Sequence, residues 1–187
     1  KFILESQTTH PTEIRDIMQY TLLLKTEDQA TDPIRIEYFV THFKSSDGTA
    51  NKNIRLDMAN VFTGVLENLD PDAFVVFSGD FNLYTSSEPA YQEILDDTND
   101  IVMIDPINDN TVLQSWSNDT PTYTAMHTQS TRLYQQNGNG AGSGLDDRFD
   151  FTFISENLTT SLDLFYVDGS YDAYGNNKNC YNLDISD

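Results

Sequence analysis

The segment from Phe74 to Asn82 constrains the fold more than any other part of this sequence. Its first four residues, Phe74 to Phe77, are large and apolar, which predicts a strand buried on both faces. A Ser-Gly pair ends the run, and Asp80 and Asn82 are its first strongly polar side chains. In extended backbone these two point the same way while Phe81 points into the core. Open α/β sheets bind ligands at such strand ends, although an ordinary Asp/Asn turn accounts for this stretch equally well.

Length and composition define a globular and very acidic chain. Its 187 residues are enough for one α/β domain, and the 30 acidic against 10 basic residues give a formal charge of −20. Such a surface repels nucleic acid at long range, so a polyanion would need a local basic or metal-filled site. The charge also fits solubility in a salty or extracellular setting. No apolar run is long enough for a membrane span, and Cys180, the only cysteine, excludes an internal disulfide.

Hydrophobic periodicity predicts alternating strands and helices. Strands are predicted at Phe2–Glu5, Tyr20–Lys25, Ile34–Phe43, Phe74–Gly79, Leu145–Ser155 and Leu162–Val167. Helices are predicted at Asn51–Leu69 and Ser87–Leu95. The remaining features are a polar turn at Gln7–Pro11, a short apolar segment at Ile101–Ile104 and a flexible glycine-rich loop at 135–144. Strand, helix and strand in succession form a right-handed crossover, which brings both strand ends to one edge of the sheet. We therefore expect His42, Asp80 and Asn82 to face a single cleft.

The strand around Asp150 contains the second polar residue of interest. Alternation places Phe149, Phe151 and Phe153 on one face of this strand, and Arg148 with Asp150 on the other. A carboxylate among phenylalanines is expected to be partly buried, and burial is costly unless the charge is paired. Its expected partner is a cation such as Arg148, a histidine or a metal ion.

Four other basic residues have simpler interpretations. We expect His10 and His127 to be surface or loop residues. Arg15 and Arg55 are interpreted as packing or salt-bridge residues, with Arg55 away from the apolar stripe of its helix.

Three blocks of the sequence carry a family resemblance: Thr41-His42-Phe43-Lys44-Ser45, Gly79-Asp80-Phe81-Asn82 and Asp147-Arg148-Phe149-Asp150-Phe151. In residue type, order and position at strand ends they resemble the endonuclease/exonuclease/phosphatase superfamily, and the resemblance spans roughly Phe2 to Tyr166. In overall texture the chain resembles the large secreted bacterial members, which implies a secreted or cell-surface bacterial protein. It implies an α/β (α+β) fold, a deoxyribonuclease I-like four-layer sandwich with mixed sheets, here incomplete.

The resemblance also implies roles for particular residues. Asp80 would orient or deprotonate the attacking water, Asn82 would contact phosphate or metal-bound water, and His42 would hydrogen-bond the phosphate or the leaving oxygen. Asp150 would hold a histidine in its working tautomer. The implied cofactor is Mg²⁺ or Mn²⁺, with Ca²⁺ as a further option. Asp80 and Asn82 are its candidate ligands, and Asp187 is a weaker one.

Members of this superfamily have further parts beyond the three blocks. They begin with a strand bearing a metal-binding Glu, expected upstream of Lys1, and they finish with a Ser-Asp-His block. Ser186-Asp187 either begins that block or belongs to an unrelated loop. We therefore expect the 187 residues to be a single partial domain, its C-terminal two-thirds. By itself this part is expected to lack activity and a tight metal site, while the parent protein is active.

Several functions remain open at this point. The leading expectation is a metal-dependent phosphodiesterase, most simply a secreted nuclease acting on nucleic acid or another phosphodiester, with no stable protein partner. The charge of −20 slightly favours an alternative of the same fold that hydrolyses a phospholipid such as sphingomyelin, or a small phosphate ester. A third alternative is a module that binds without catalysis.

Overall fold

A computed structural model describes residues 1–107, 116, 121–129, 132–135, 142, 144–176 and 179. The described residues form a six-stranded sheet in the order β1-β2-β3-β4-β6-β5, comprising β1 (Phe2–His10), β2 (Ile17–Leu24), β3 (Arg35–His42), β4 (Phe74–Asp80), β5 (Met103–Ile104) and β6 (Asp150–Ser155). The helices are α1 (Thr49–Leu66) and α2 (Pro89–Ile94), with short 3-10 helices at Pro121–Met126 and Glu156–Thr159. Only β3 and β4 pair in parallel, so the sheet is mixed.

An aromatic core lies between the helices and one face of the sheet. Phe62 of α1 stacks on Phe77 of β4 with ring centroids 3.9 Å apart, and Phe39 of β3 meets Phe62 edge-on at 5.1 Å. All three side chains are fully buried, because the helical spacing of apolar residues in α1 matches the alternation of the strands beneath it. On the opposite face Leu4 and Val40 are 55% and 39% exposed. The helices therefore cover one face of this sheet.

The β3–α1–β4 crossover sets the position of the candidate site. Its parallel register pairs His42 with Asp80, and the antiparallel register of β4 with β6 pairs Asp80 with Asp150. Gly79 makes this close pairing possible, since a Cβ at that position would lie 2.0 Å from the carbonyl oxygen of Thr41. Three polar side chains from distant parts of the sequence thus reach one end of the sheet.

Most predicted elements are found with shifted ends, and two predictions are wrong. β1 continues through the predicted turn at Gln7–Pro11, because its polar residues pair with β2. The predicted strand at Leu162–Val167 is irregular, with Leu162 95% exposed, so an apolar run without a strand neighbour does not form a strand. Helix α2 starts after Glu88, two residues later than predicted. The predicted strand at 145–155 starts only at Asp150.

The mixed sheet with helices confirms the predicted α/β (α+β) class, and the described residues contain one sheet of the predicted sandwich. Of the glycine-rich loop at 135–144, only Gln135, Gly142 and Gly144 are described, so its flexibility stays a prediction. The single domain over residues 1–187 also remains a prediction. Within the described part of the chain, no helix has the length and apolar character needed to cross a membrane.

Candidate active site

His42, Asp80 and Asp150 lie side by side where β3 and β4 end and β6 begins. The Nε2 atom of His42 is 3.5 Å from Oδ2 of Asp80, and both side chains are partly exposed, at 48% and 37%. Asp150 occupies the pairing position next to Asp80 on the other side. The structure therefore brings these three predicted residues together although His42 and Asp150 are more than 100 positions apart.

Asn82 joins the group through a turn and not through strand alternation. The strand ends at Asp80, and Asn82 has a φ of 49°, in the left-handed region that asparagine tolerates. Its backbone amide donates to Oδ1 of Asp80 over 3.1 Å, and its side-chain Nδ2 donates to the carbonyl oxygen of Phe43 over 3.3 Å. The expectation of extended backbone here was wrong, but Phe81 is fully buried as expected. Asn82 is held beside Asp80 by the Asp/Asn turn itself.

The surroundings of Asp80 disfavour the ionised form of its carboxylate. Burial raises its pKa above the ordinary value, and the neighbouring Asp150 carboxylate raises it further. His42, the backbone amide of Asn82 and Arg15 oppose this shift without cancelling it. A positively charged ligand between the two carboxylates would therefore be bound favourably at this end of the sheet.

Arg15 is a member of this group that the sequence interpretation did not identify. It lies between β1 and β2, and its Nη1 donates to the carbonyl oxygens of Phe43 and His42 over 3.1 and 3.3 Å. It also lowers the pKa of Asp80, so its positive charge is felt at the site. No local pattern identifies this residue, because its contacts depend on the pairing of β2 with β3.

The prediction that Asp150 is partly buried was wrong. Asp150 is exposed, and its carboxylate accepts no hydrogen bond from the residues that the structure describes. Its backbone amide donates to Oγ1 of Thr128 over 2.9 Å. The reason is positional: β6 begins at Asp150, so the neighbouring phenylalanines do not enclose its side chain.

Arg148 is not the partner of Asp150. It is fully buried, and its guanidinium donates to both carboxylate oxygens of Asp105 over 2.6 and 3.0 Å. The guanidinium also lies 3.9 Å from the ring centroid of Phe151, whose side chain belongs to the core beneath the helices. Because Arg148 precedes the first residue of β6, strand alternation does not put it on the face of Asp150.

The two other histidines, His127 and His10, differ in their position in the fold and in their hydrogen-bond partners. His127 follows a 3-10 helix as a loop residue, one of the two predicted positions, and its side chain is only 1% exposed. Burial lowers the pKa of His127, and its Nδ1 is 3.3 Å from the carbonyl oxygen of Leu145. His10 lies at the end of β1 and hydrogen-bonds Oε1 of Gln19 on β2 over 2.8 Å.

The donor atoms fit a hard divalent cation in kind and supply part of a coordination shell. Two neighbouring carboxylates and the side-chain oxygen of Asn82 are the oxygen ligands that Mg²⁺ and Mn²⁺ prefer. Among the described residues, no three or more His, Cys, Asp or Glu side chains are grouped closely enough to hold a metal ion. Asp187, the weaker candidate ligand, lies outside the described residues, as do Ser186 and Cys180.

Comparison with known proteins gives structural matches only. No family model and no curated protein matches this sequence. The catalytic domain of human Nocturnin, solved with bound sulfate, aligns with a TM-score of 0.52 at 14% identity over 83% of this chain and 49% of that one. An endonuclease/exonuclease/phosphatase family protein of Bacteroides thetaiotaomicron gives 0.51 at 13% identity over 83% and 52%. The mannosyl-6-phosphatase of the same bacterium gives 0.50 at 14% identity over 83% and 54%.

These similarities confirm the predicted fold, the deoxyribonuclease I-like fold of the endonuclease/exonuclease/phosphatase proteins. The resemblance predicted from three short sequence blocks is thus confirmed at the level of the fold. The chain spans about half the length of the structures it matches.

Proposed function

We propose that this chain contributes the catalytic end of a metal-dependent hydrolase of phosphate esters. The observation that carries the proposal is the side-by-side arrangement of His42, Asp80 and Asp150 at one end of the sheet. Acid, base and metal ligands on adjacent strand ends are what hydrolysis of a phosphate ester requires. The fold supports the same conclusion, because one of the matched structures is a phosphatase.

Each residue has a role that its surroundings support. Asp80, whose pKa is raised by burial, is suited to accept the proton of the attacking water. His42, 3.5 Å from Asp80 and half exposed, is positioned to hydrogen-bond the phosphate or the leaving oxygen. Asp150 is free to orient an imidazole. Arg15 adds positive charge to the side of the site next to His42 and Phe43.

A bound Mg²⁺ or Mn²⁺, or Ca²⁺, would neutralise phosphate charge and polarise the ester. Asp80 and Asn82 are the residues that would hold it, and further ligands are needed to complete its shell. The position of Asp150 beside Asp80 explains why a cation is favoured here, since the Asp150 carboxylate raises the pKa of Asp80.

We further propose a phosphodiester substrate, with an extracellular nuclease as the first candidate. A small phosphate ester is the second candidate, and the charge of −20 favours it, because long nucleic acid would be repelled outside the immediate site. Secretion remains part of this proposal, and its direct check is whether the protein accumulates in the culture medium of its host.

The test is hydrolysis of plasmid DNA, sphingomyelin and p-nitrophenyl phosphate by the complete gene product that contains these residues. Each substrate is assayed with Mg²⁺, Mn²⁺ or Ca²⁺ and with EDTA. We expect metal-dependent hydrolysis of at least one ester, and a loss of about 1,000-fold or more in Asp80→Asn, because groups of one site act as a unit. Asp57→Asn, which removes an exposed carboxylate of α1, is the matched control. Hydrolysis that persists in Asp80→Asn, or absence of hydrolysis with every metal, contradicts the proposal.

A further inference from the structure

A buried ion pair joins α1 to the segment that follows β4. The side chains of Arg55 and Glu88 are 0% and 2% exposed. Nε and Nη2 of Arg55 donate to Oε2 of Glu88 over 3.0 and 2.8 Å. The other carboxylate oxygen, Oε1, accepts the backbone amide of Tyr84 over 2.9 Å. Glu88 therefore binds Arg55 with one oxygen and the chain leaving β4 with the other.

Arg55 also holds the loop that leaves β3. Its Nη1 donates to the carbonyl oxygens of Lys44 and Ser46 over 2.8 and 2.9 Å. Ser46 has a φ of 75°, in the left-handed region. For a residue other than glycine, a backbone conformation in this region costs energy, and it persists only where surrounding contacts impose it. The contact with Arg55 is one such contact, in a loop that begins directly after His42.

The two loops are tied to each other close to the site. Asn82, which has a φ of 49°, donates from Nδ2 to the carbonyl oxygen of Phe43. The backbone amide of Phe43 donates in turn to the carbonyl oxygen of Asp80 over 2.8 Å. Each loop thus contains one residue in the left-handed region. The Arg55–Glu88 pair hydrogen-bonds both loops next to α1, and the Asn82 side chain hydrogen-bonds one loop to the other at the end of the sheet.

Stability alone does not account well for such a pair. Removing two charges from water is costly, and apolar residues often replace buried ion pairs without loss of stability. A planar guanidinium with donors in fixed directions is suited to fix geometry. A separate hydrogen bond joins α1 to α2, from Oγ1 of Thr63 to Oε1 of Glu93 over 2.7 Å, and it includes no residue of either loop.

We propose that Arg55 and Glu88 are positioning residues that set the relative placement of the loops after His42 and Asp80, and with it the position of Asn82. Both side chains are buried, so neither is placed to contact a substrate. The catalytic consequence rests on the proposed hydrolase function, whereas the structural consequence does not. A displacement of about 1 Å within a site can lower a rate about 100-fold, so small loop shifts are enough to be measured.

The test compares Glu88→Gln with Glu93→Gln, which removes a similar charge from the same helix pair. Hydrolysis of bis(p-nitrophenyl) phosphate is measured with Mg²⁺, at a temperature well below the unfolding midpoint of both variants. We expect kcat of Glu88→Gln to fall about 10- to 100-fold while KM changes less than about twofold. The NMR signals of the Asn82 side-chain amide should also shift. Glu93→Gln should leave kcat and these signals unchanged.

Wild-type kcat and unshifted Asn82 signals in a folded Glu88→Gln variant overturn the proposal, and so does an equal loss in Glu93→Gln. If Glu88→Gln does not fold, Arg55→Lys is used, because lysine keeps the charge but lacks the guanidinium geometry that reaches Glu88 and both carbonyls. Failure of both variants to fold assigns the pair to stability and also overturns the proposal. If the wild-type protein does not hydrolyse the ester, the hydrolase function fails, and the Asn82 signals still decide the positioning role.

Discussion

At the scale of single residues, Asp80 shows the conflict between stability and function most clearly. Its carboxylate is partly buried and faces Asp150, and both effects raise its pKa. In the folded protein the ionised form is therefore less favourable than in the unfolded chain. Ionisable groups whose pKa is shifted by their surroundings are concentrated at functional sites, so the raised pKa of Asp80 supports its assignment to the candidate site.

This conflict predicts the effect of Asp80→Asn on stability. Because the pKa of Asp80 is raised on folding, its contribution to stability is present below the ordinary carboxyl pKa and is lost as the pH rises through the raised pKa. The variant has no such loss. We expect its urea midpoint to equal that of the wild type near pH 3, and to exceed it at pH 7 and above. A lower midpoint at pH 7 would show that attraction to His42 and Arg15 dominates, and Asp57→Asn is the control.

Sequence patterns located some site residues and missed others for identifiable reasons. His42 and Asp80 were predictable because each ends a strand of one crossover, and parallel pairing places such ends together. Asn82 does lie beside Asp80 as predicted, but a turn places it there and not the extended backbone that was expected. Arg15 has no local signal, since its role arises from contacts 27 and 28 positions away.

At the scale of secondary-structure elements, the pairing of β3 with β4 supports the site. Thr41 faces Gly79 in the register, directly before the pair of His42 and Asp80. The missing Cβ of Gly79 lets the two strands approach. The strand, helix and strand order was predictable from periodicity, whereas the start of β6 at Asp150 was not, because continuous apolar alternation does not show where pairing begins.

Gly79→Ala should therefore damage both the fold and the site. Its Cβ would lie 2.0 Å from the carbonyl oxygen of Thr41, a contact that the backbone must relieve by separating the strands. We expect a loss of about 3 kcal/mol or more in the free energy of unfolding, measured by urea denaturation. Gly64→Ala is the matched control within α1, where a Cβ meets no atom within 4 Å. It should gain about 0.5–1 kcal/mol. A loss below 1 kcal/mol in Gly79→Ala would show that the strands do not require this approach.

At the scale of the whole molecule, a chain of formal charge −20 places two of its 30 acidic residues side by side at one end of its sheet. The fold was predictable from three short blocks because they lie at strand ends that the topology brings together. The distribution of burial was less predictable, since Arg55 and Arg148 are buried through ion pairs with residues distant in sequence. The central claim is that this end of the sheet forms one cation-binding site.

The most direct test of that claim is the paramagnetic broadening of backbone amide signals by Mn²⁺ in an NMR titration. Moderate salt weakens diffuse attraction to the acidic surface. We predict that the signals of His42, Asp80 and Asp150 broaden together at the lowest Mn²⁺ concentrations, and that Asp80→Asn abolishes this shared effect. Broadening that begins instead around Asp70 and Asp72, at the opposite end of β4, or that persists unchanged in Asp80→Asn, would contradict the account.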